Sequence, residues 1–275
     1  MKRVITAAVL IPLVLLLIFK GSFLMVVVAA GAVAELAAWE YLSLADAFGA
    51  RTPRALVMLA IALEFLAVAW RPGLELPMIG VCSLALFTFC AFHSPLERVL
   101  PDVAFSVFCL LYIGLALTML PLLWIGTGGP SLLVFLFCVV WSGDVAAMYA
   151  GRAFGRRKLA PRISPKKTWE GAIASMAGSL LIAPLLYLLG HRVPAVSRLA
   201  FPGGLSGWLF LAALLNVAAQ VGDLVESAIK RGSGVKDSGT MLPGHGGILD
   251  RIDALLLAAP ALWYLELARR SFLRH

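Results

Sequence analysis

The sequence predicts an all-α, polytopic integral membrane protein with about nine transmembrane helices, and three observations carry that prediction. Of its 275 residues, 61% are hydrophobic and only 14% are charged, against about 45–50% and about 25% in a soluble domain. The mean hydropathy is +0.94. The apolar residues fall in long continuous runs near the ~20 residues needed to cross a bilayer as a helix. They do not show the ten-residue alternation of a membrane barrel.

The runs are read as spans at 4–19, 22–42, 55–70, 77–92, 103–125, 131–150, 169–189, 205–229 and 248–267. The first follows Met1-Lys2-Arg3 and has the outline of a signal peptide. No small-residue cleavage site follows, and a second apolar run begins directly after Lys20, so it is read as an uncleaved first helix. Cys82, Cys90, Cys109 and Cys138 lie in apolar runs without metal-ligand spacing and read as small buried residues. No internal repeat, soluble domain or low-complexity tail is visible.

The net charge of +8 does not point to nucleic acid: no such motif occurs, and aromatics are not interleaved with the basic residues. In a membrane protein, lysine and arginine collect in cytoplasmic loops and meet anionic headgroups. The loop 151–168 carries Arg152, Arg156, Arg157, Lys158, Arg162, Lys166 and Lys167 without an acid, and is assigned to the cytoplasm. Nine spans place Lys2, Arg51, Arg54, Arg98 and the basic loop at 230–236 on the same side. They leave Arg269, Arg270 and Arg274 on the other.

The densest chemistry lies in 227–253, SAIKRGSGVKDSGTMLPGHGGILDRID, between two apolar segments. Charges near the bilayer centre cost on the order of 2.5–3.5 kcal/mol each, so a chain that keeps this many there uses them. Lys230, Arg231 and Lys236 stand among glycines that let backbone N–H groups approach a ligand, a combination suited to phosphate. His245, between glycines, reads as an acid/base group or as a phosphate donor.

In the preceding helix, Asn216, Gln220, Asp223, Ser227 and Lys230 recur every three or four residues. They form one polar face, directed at the protein interior or a water-filled cavity. Asp250 and Asp253 share a face at the start of the next helix, where acids also favour the helix dipole. Asp223 and Asp250 from neighbouring helices suit Mg²⁺, which takes one or two carboxylates with waters and substrate oxygens. Asp253 is read as a further ligand or as the residue orienting Arg251. The block 162–171 reads as a basic turn in which Pro161 and Pro165 limit helix and Trp169 marks the interface. Its Ser164, Lys166, Lys167 and Thr168 suit a lipid phosphate or a nucleotide triphosphate.

Ser227, Lys230, Arg231, Lys236, Asp237, Pro243, His245, Gly246, Gly247, Asp250, Arg251 and Asp253 match, position by position, the signature of the CDP-diacylglycerol synthases (phosphatidate cytidylyltransferases). The block 163–171, ISPKKTWEG, also resembles this family, as does Trp141-Ser142-Gly143-Asp144 with Gly151-Arg152 and Phe154-Gly155. One departure is visible: Met148 stands where the family tends to have tyrosine, displaced here to Tyr149. One step on a helix turns a side chain by about 100°. The N-terminal half resembles the family only in being hydrophobic.

The resemblance implies one membrane domain, with N-terminal helices over 1–130 and a catalytic region with cytoplasmic loops over 131–275. It implies transfer of CMP from CTP to phosphatidate, giving CDP-diacylglycerol and pyrophosphate, at the cytoplasmic face of a bacterial inner membrane. Mg²⁺ is the expected cofactor, with a monovalent cation such as K⁺ as a further candidate, and a homodimer is the family expectation. Catalysis is assigned to Asp223, Lys230, Asp250 and His245, and metal binding to Asp223, Asp250 and Asp253. Substrate binding is assigned to Asp144, Arg152, Ser164, Lys166, Lys167, Thr168, Arg231, Lys236 and Arg251. A CTP-dependent polyprenol- or phytol-type lipid kinase is the alternative. A transporter of phosphorylated metabolites calls for an inverted repeat that is not seen.

Overall fold

The computed structural model describes residues 2–126, 129–192, 204–241 and 246–272. It is an all-α polytopic membrane protein with one two-stranded sheet among the described residues. Six helices are long and apolar enough to cross a membrane: Phe23–Ala47, Glu75–His93, Leu96–Ile125, Gly129–Phe154, Trp169–Gly190 and Leu205–Gly232. This count, made on the described residues by length and composition, does not reproduce nine. The helix expected at 55–70 exists but has 17 residues. The one expected at 248–267 is broken.

The chain forms two compact units. The first comprises Met1–Leu122 and Ile229–Ile252. It holds α1 (Lys2–Lys20), α2 (Phe23–Ala47), α3 (Arg54–Trp70), α4 (Glu75–His93) and α5 (Val99–Cys109). The π-helical turn Leu110–Leu115 joins α5 to α6 (Ala116–Ile125). Ser22 caps α2 by accepting the Met25 N–H (3.3 Å), and Pro53 fixes the entry to α3. Asp102 of α5 is fully buried and ties two loops: its carboxylate accepts the Arg51 N–H and the Ser94 hydroxyl, both at 2.7 Å.

The second unit comprises Leu123–Ala228 and Asp253–His275. It holds α7 (Gly129–Phe154), β1 (Lys158–Ala160), β2 (Ser164–Thr168), α8 (Trp169–Arg192), most of α9 (Leu205–Gly232) and α11 (Leu255–Phe272). α7 and α8 pack through small residues, as membrane helices do where backbones must approach. A Cβ on Gly143 would lie 2.7–2.8 Å from Asn216 Nδ2, Ser175 Oγ and Ser179 Oγ. The polar stripe of α9 is turned inward there. Asn216, 1% exposed, donates to Ser175 (2.8 Å) and Ser179 (2.9 Å) and accepts from Gln220 (2.6 Å).

The apolar run after 248 is two helices, α10 (Leu249–Ile252) and α11, separated at Asp253 and Ala254. The Asp253 carboxylate accepts the Ala254 N–H (2.8 Å), a local bond that competes with helix continuation. α9 meets this break at Gly222, where an added Cβ would fall 2.6 Å from the Asp253 carbonyl oxygen. Gly→Ala inside a helix normally stabilises by about 1 kcal/mol. Gly222→Ala is expected to reverse that sign and cost about 1–3 kcal/mol, since the obstacle is backbone. Thermal unfolding in detergent checks it.

Candidate active site

A cleft of about 640 Å³ opens in the second unit among α7, the hairpin, α8 and α9. Its polar lining is Asp144 and Arg152 from α7, Lys158 from β1, Lys166, Lys167 and Thr168 from β2, Ser175 from α8, and Gln220 and Asp223 from α9. Residues far apart in sequence thus meet in one concavity with an excess of positive charge. Lys167 Nζ pairs with Asp223 Oδ2 at 2.5 Å, and Ser227 donates weakly to Asp223 Oδ1 (3.4 Å). Ala147, Met148, Gly151, Leu159, Gly171 and Ala172 supply the rest of the lining. Met148 therefore occupies the cleft position, while Tyr149 is 65% exposed and is not part of the lining.

The block 162–171 is not a plain turn. It supplies β2, which pairs antiparallel with β1, Lys158 opposite Thr168 and Ala160 opposite Ser164. Proline bars helix there but permits a short two-stranded ribbon. The hairpin is held at its base by Glu170, whose carboxylate accepts the N–H groups of Arg156 (3.1 Å) and Arg157 (3.2 Å). Thr168, 5% exposed, accepts the Gly171 N–H (3.2 Å) and so caps α8 as well as lining the cleft. Ser164 sits at the other end of the hairpin and is not in the lining.

In the first unit, the loop 229–252 builds a second charged arrangement. Lys230 Nζ meets Asp250 Oδ1 at 2.5 Å, with side chains 12% and 6% exposed. Asp250 Oδ2 accepts the N–H groups of Gly247 (2.8 Å) and Ser238 (3.1 Å). Arg231 Nη1 donates to the Val235 carbonyl (3.2 Å), closing the start of the loop. Lys236, Asp237 and Arg251 are exposed. His245 lies outside the described residues.

A residue not selected from sequence stands beneath this loop. Glu40 of α2 is 3% exposed and accepts three hydrogen bonds. They come from the Ser238 hydroxyl (2.9 Å), the Ile248 N–H (3.0 Å) and the Leu249 N–H (2.9 Å). Its signal was available: a carboxylate within a membrane-length apolar run, as both Glu35 and Glu40 are, is costly unless it is used.

The carboxylates also decide what metal chemistry fits. Asp253 lies near enough to Asp223, Asp144 and Glu226 for the four carboxyl groups to bear on one another electrostatically, so carboxyl groups are gathered beside the cleft. The donors are hard carboxylate oxygens, the type Mg²⁺ selects. Among the described residues, no three His, Cys, Asp or Glu side chains converge as a ready-made metal centre.

These features define a class, an all-α polytopic membrane protein with a lysine-, arginine- and aspartate-lined cleft. Residues 1–268 match the model of the Cytidylyltransferase family, and the chain belongs to that family. The phosphatidate cytidylyltransferase of Pseudomonas aeruginosa is similar, 35% identical over 269 residues and 94% of each chain. That of Brucella suis biovar 1 is 53% identical over 141 residues, 50% of this chain and 47% of its own. That of Haemophilus influenzae is 42% identical over 136 residues, 50% and 46% of the two chains. The chain spans about half the length of the Brucella and Haemophilus relatives it matches.

Proposed function

We propose that this protein is a phosphatidate cytidylyltransferase working at the cytoplasmic face of a bacterial inner membrane. The observation that carries the reading is the cleft, in which Arg152, Lys158, Lys166 and Lys167 face Asp144 and Asp223, in a chain whose relatives bear that activity in their names. An oxygen of the phosphatidate phosphomonoester attacks the α-phosphorus of CTP. The bond to the β-phosphate breaks, pyrophosphate leaves, and CDP-diacylglycerol remains in the bilayer. Both reactants are anions, so the barrier is largely repulsion and alignment, and no protein nucleophile is needed.

Lys166, Lys167 and Arg152 hold and neutralise the lipid phosphate, and Asp223 fixes the ammonium of Lys167. Lys230, Arg231, Lys236 and Arg251 neutralise the triphosphate and the leaving pyrophosphate. Mg²⁺ would supply charge neutralisation on phosphate oxygens when bound, and Asp223 and Asp253 are the hard carboxylate ligands that the second unit offers it. The cytoplasmic assignment is supported by the basic hairpin loop.

The test is incorporation of CTP labelled in the cytosine ring into organic-soluble lipid. Label is expected to enter lipid only with phosphatidate present, with stoichiometric pyrophosphate release, and to be abolished by EDTA and restored by excess Mg²⁺. Release of CDP with a prenol, and no cytidine in lipid, would replace this reading with the kinase. Full activity in EDTA would remove the metal from it.

A further inference from the structure

We propose that Glu40 is a positioning residue for the reaction, setting the place of Asp250 through the loop that carries it. The inference rests on the cytidylyltransferase reading and adds to it a residue from the N-terminal helices. Glu40, Leu44 and Phe48 recur at intervals of four, so they form one stripe on the C-terminal part of α2 and its cap. Each holds a different point of the loop. The Phe48 ring lies against Gly232, where a Cβ would collide with it. The Leu44 carbonyl accepts the Ser233 hydroxyl (3.3 Å). Glu40 takes the Ser238 hydroxyl and the N–H groups of Ile248 and Leu249.

The Glu40 bonds fall where Asp250 is oriented. The N–H groups of Ile248 and Leu249 lie at the start of α10, which bears Asp250, and such N-terminal donors need a partner from outside the helix. Glu40 supplies it from another part of the chain, acting as a cap delivered by a membrane helix. Ser238 is shared between the two carboxylates: its hydroxyl goes to Glu40 and its N–H to Asp250. Close approach is built in, since a Cβ on Gly239 would lie 2.5 Å from Glu40 Oε1, and one on Gly247 would overlap Glu40 Oε2. A carboxylate accepts at both oxygens, which three donors require. Glutamine offers one oxygen, and its amide N–H₂ would face the Ile248 N–H, donor against donor. The loop then shifts without the bundle having to unfold. Displacements of about 1 Å around reacting groups cost on the order of 10²-fold in rate.

The experiment compares wild type, Glu40→Gln and Ser238→Ala in detergent. Thermal unfolding, backbone hydrogen exchange and steady-state cytidylyl transfer are measured on each. For Glu40→Gln the expected result is an unfolding temperature near wild type. Exchange should be about tenfold faster in a peptide covering 247–252, and unchanged in peptides from α3 and α8. kcat should fall about 10²-fold, with KM for phosphatidate within about threefold. Ser238→Ala, which leaves two of the three bonds, should shift the same readouts less. Wild-type exchange and kcat in folded Glu40→Gln would overturn the proposal. So would exchange accelerated uniformly along the chain, the signature of a merely structural contact. If Glu40→Gln does not fold, Ser238→Ala decides: faster local exchange with lower kcat supports the proposal, and wild-type behaviour overturns it. A wild-type protein that moves no cytidine into lipid would instead sink the reaction, while the exchange comparison would still report on Glu40.

Discussion

Asp223→Asn is expected to lower cytidylyl transfer about 10³-fold, near 4 kcal/mol in the barrier, in protein that stays folded. Asp223 lines the cleft and pairs with Lys167 at 2.5 Å, the two side chains 36% and 24% exposed. An ion pair that open to water contributes at most about 1 kcal/mol to stability, so its loss should barely move thermal unfolding. The functional cost is larger because asparagine keeps the shape and removes the charge. Lys167 loses its counter-ion; on the proposed reading this frees the ammonium that would hold the lipid phosphate and removes a hard oxygen that would serve the metal. The charge-swapped double variant, Lys167→Asp with Asp223→Lys, separates the two explanations. A structural pair would be rebuilt by the swap and activity would return. A cleft that needs a carboxylate on α9 and an ammonium on β2 would stay inactive. Recovery above about a tenth of wild-type turnover in the swap would refute the assignment.

What was legible in the sequence follows from which physics is local. Long apolar runs gave the helices, because crossing length and backbone satisfaction act on contiguous residues. The inward stripe of Asn216, Gln220 and Asp223 was legible from helical spacing, and the structure turns Asn216 into a buried network. The cleft contains Asp144, Arg152, Lys166, Lys167, Thr168 and Asp223, all selected from sequence. Their partners were not legible. Lys167 meets Asp223, and Thr168 caps a helix, through contacts that no local rule reports. The break at Asp253 was missed because hydropathy does not register a side chain bonding to the next N–H. The hairpin was missed because Pro161 and Pro165 argue against helix without arguing for a strand. Glu40 carries the signal of a charge in an apolar run, but its partners Ser238, Ile248 and Leu249 lie 198–209 residues away, beyond any local rule.

Asp250→Asn is expected to abolish activity to a comparable degree, about 10³-fold, but with a different signature: it should also destabilise. Asp250 and Lys230 are 6% and 12% exposed, much less open to water than the Lys167 pair. Removing one partner of a buried pair costs up to about 3–5 kcal/mol, because the other charge is left without compensation. The hydrogen bonds compound this. Asp250 accepts Lys230 Nζ at one oxygen and the N–H groups of Ser238 and Gly247 at the other. Asparagine has one oxygen, so its N–H₂ must face either the ammonium or the two backbone donors, and both arrangements set donor against donor. The apparent Tm of Asp250→Asn in detergent should therefore fall clearly below that of Asp223→Asn. Lys230→Met tests the other half of the pair. It leaves the carboxylate its two backbone donors, so it should fold better than Asp250→Asn while still losing turnover, since the methionine cannot neutralise phosphate. If Asp250→Asn unfolded at the wild-type temperature, the pair would be a surface contact in solution. If Lys230→Met retained full turnover, the lysine would only be the counter-ion of Asp250. Loss of turnover in both, with loss of stability concentrated in Asp250→Asn, is what a buried carboxylate that both organises the loop and serves the reaction requires.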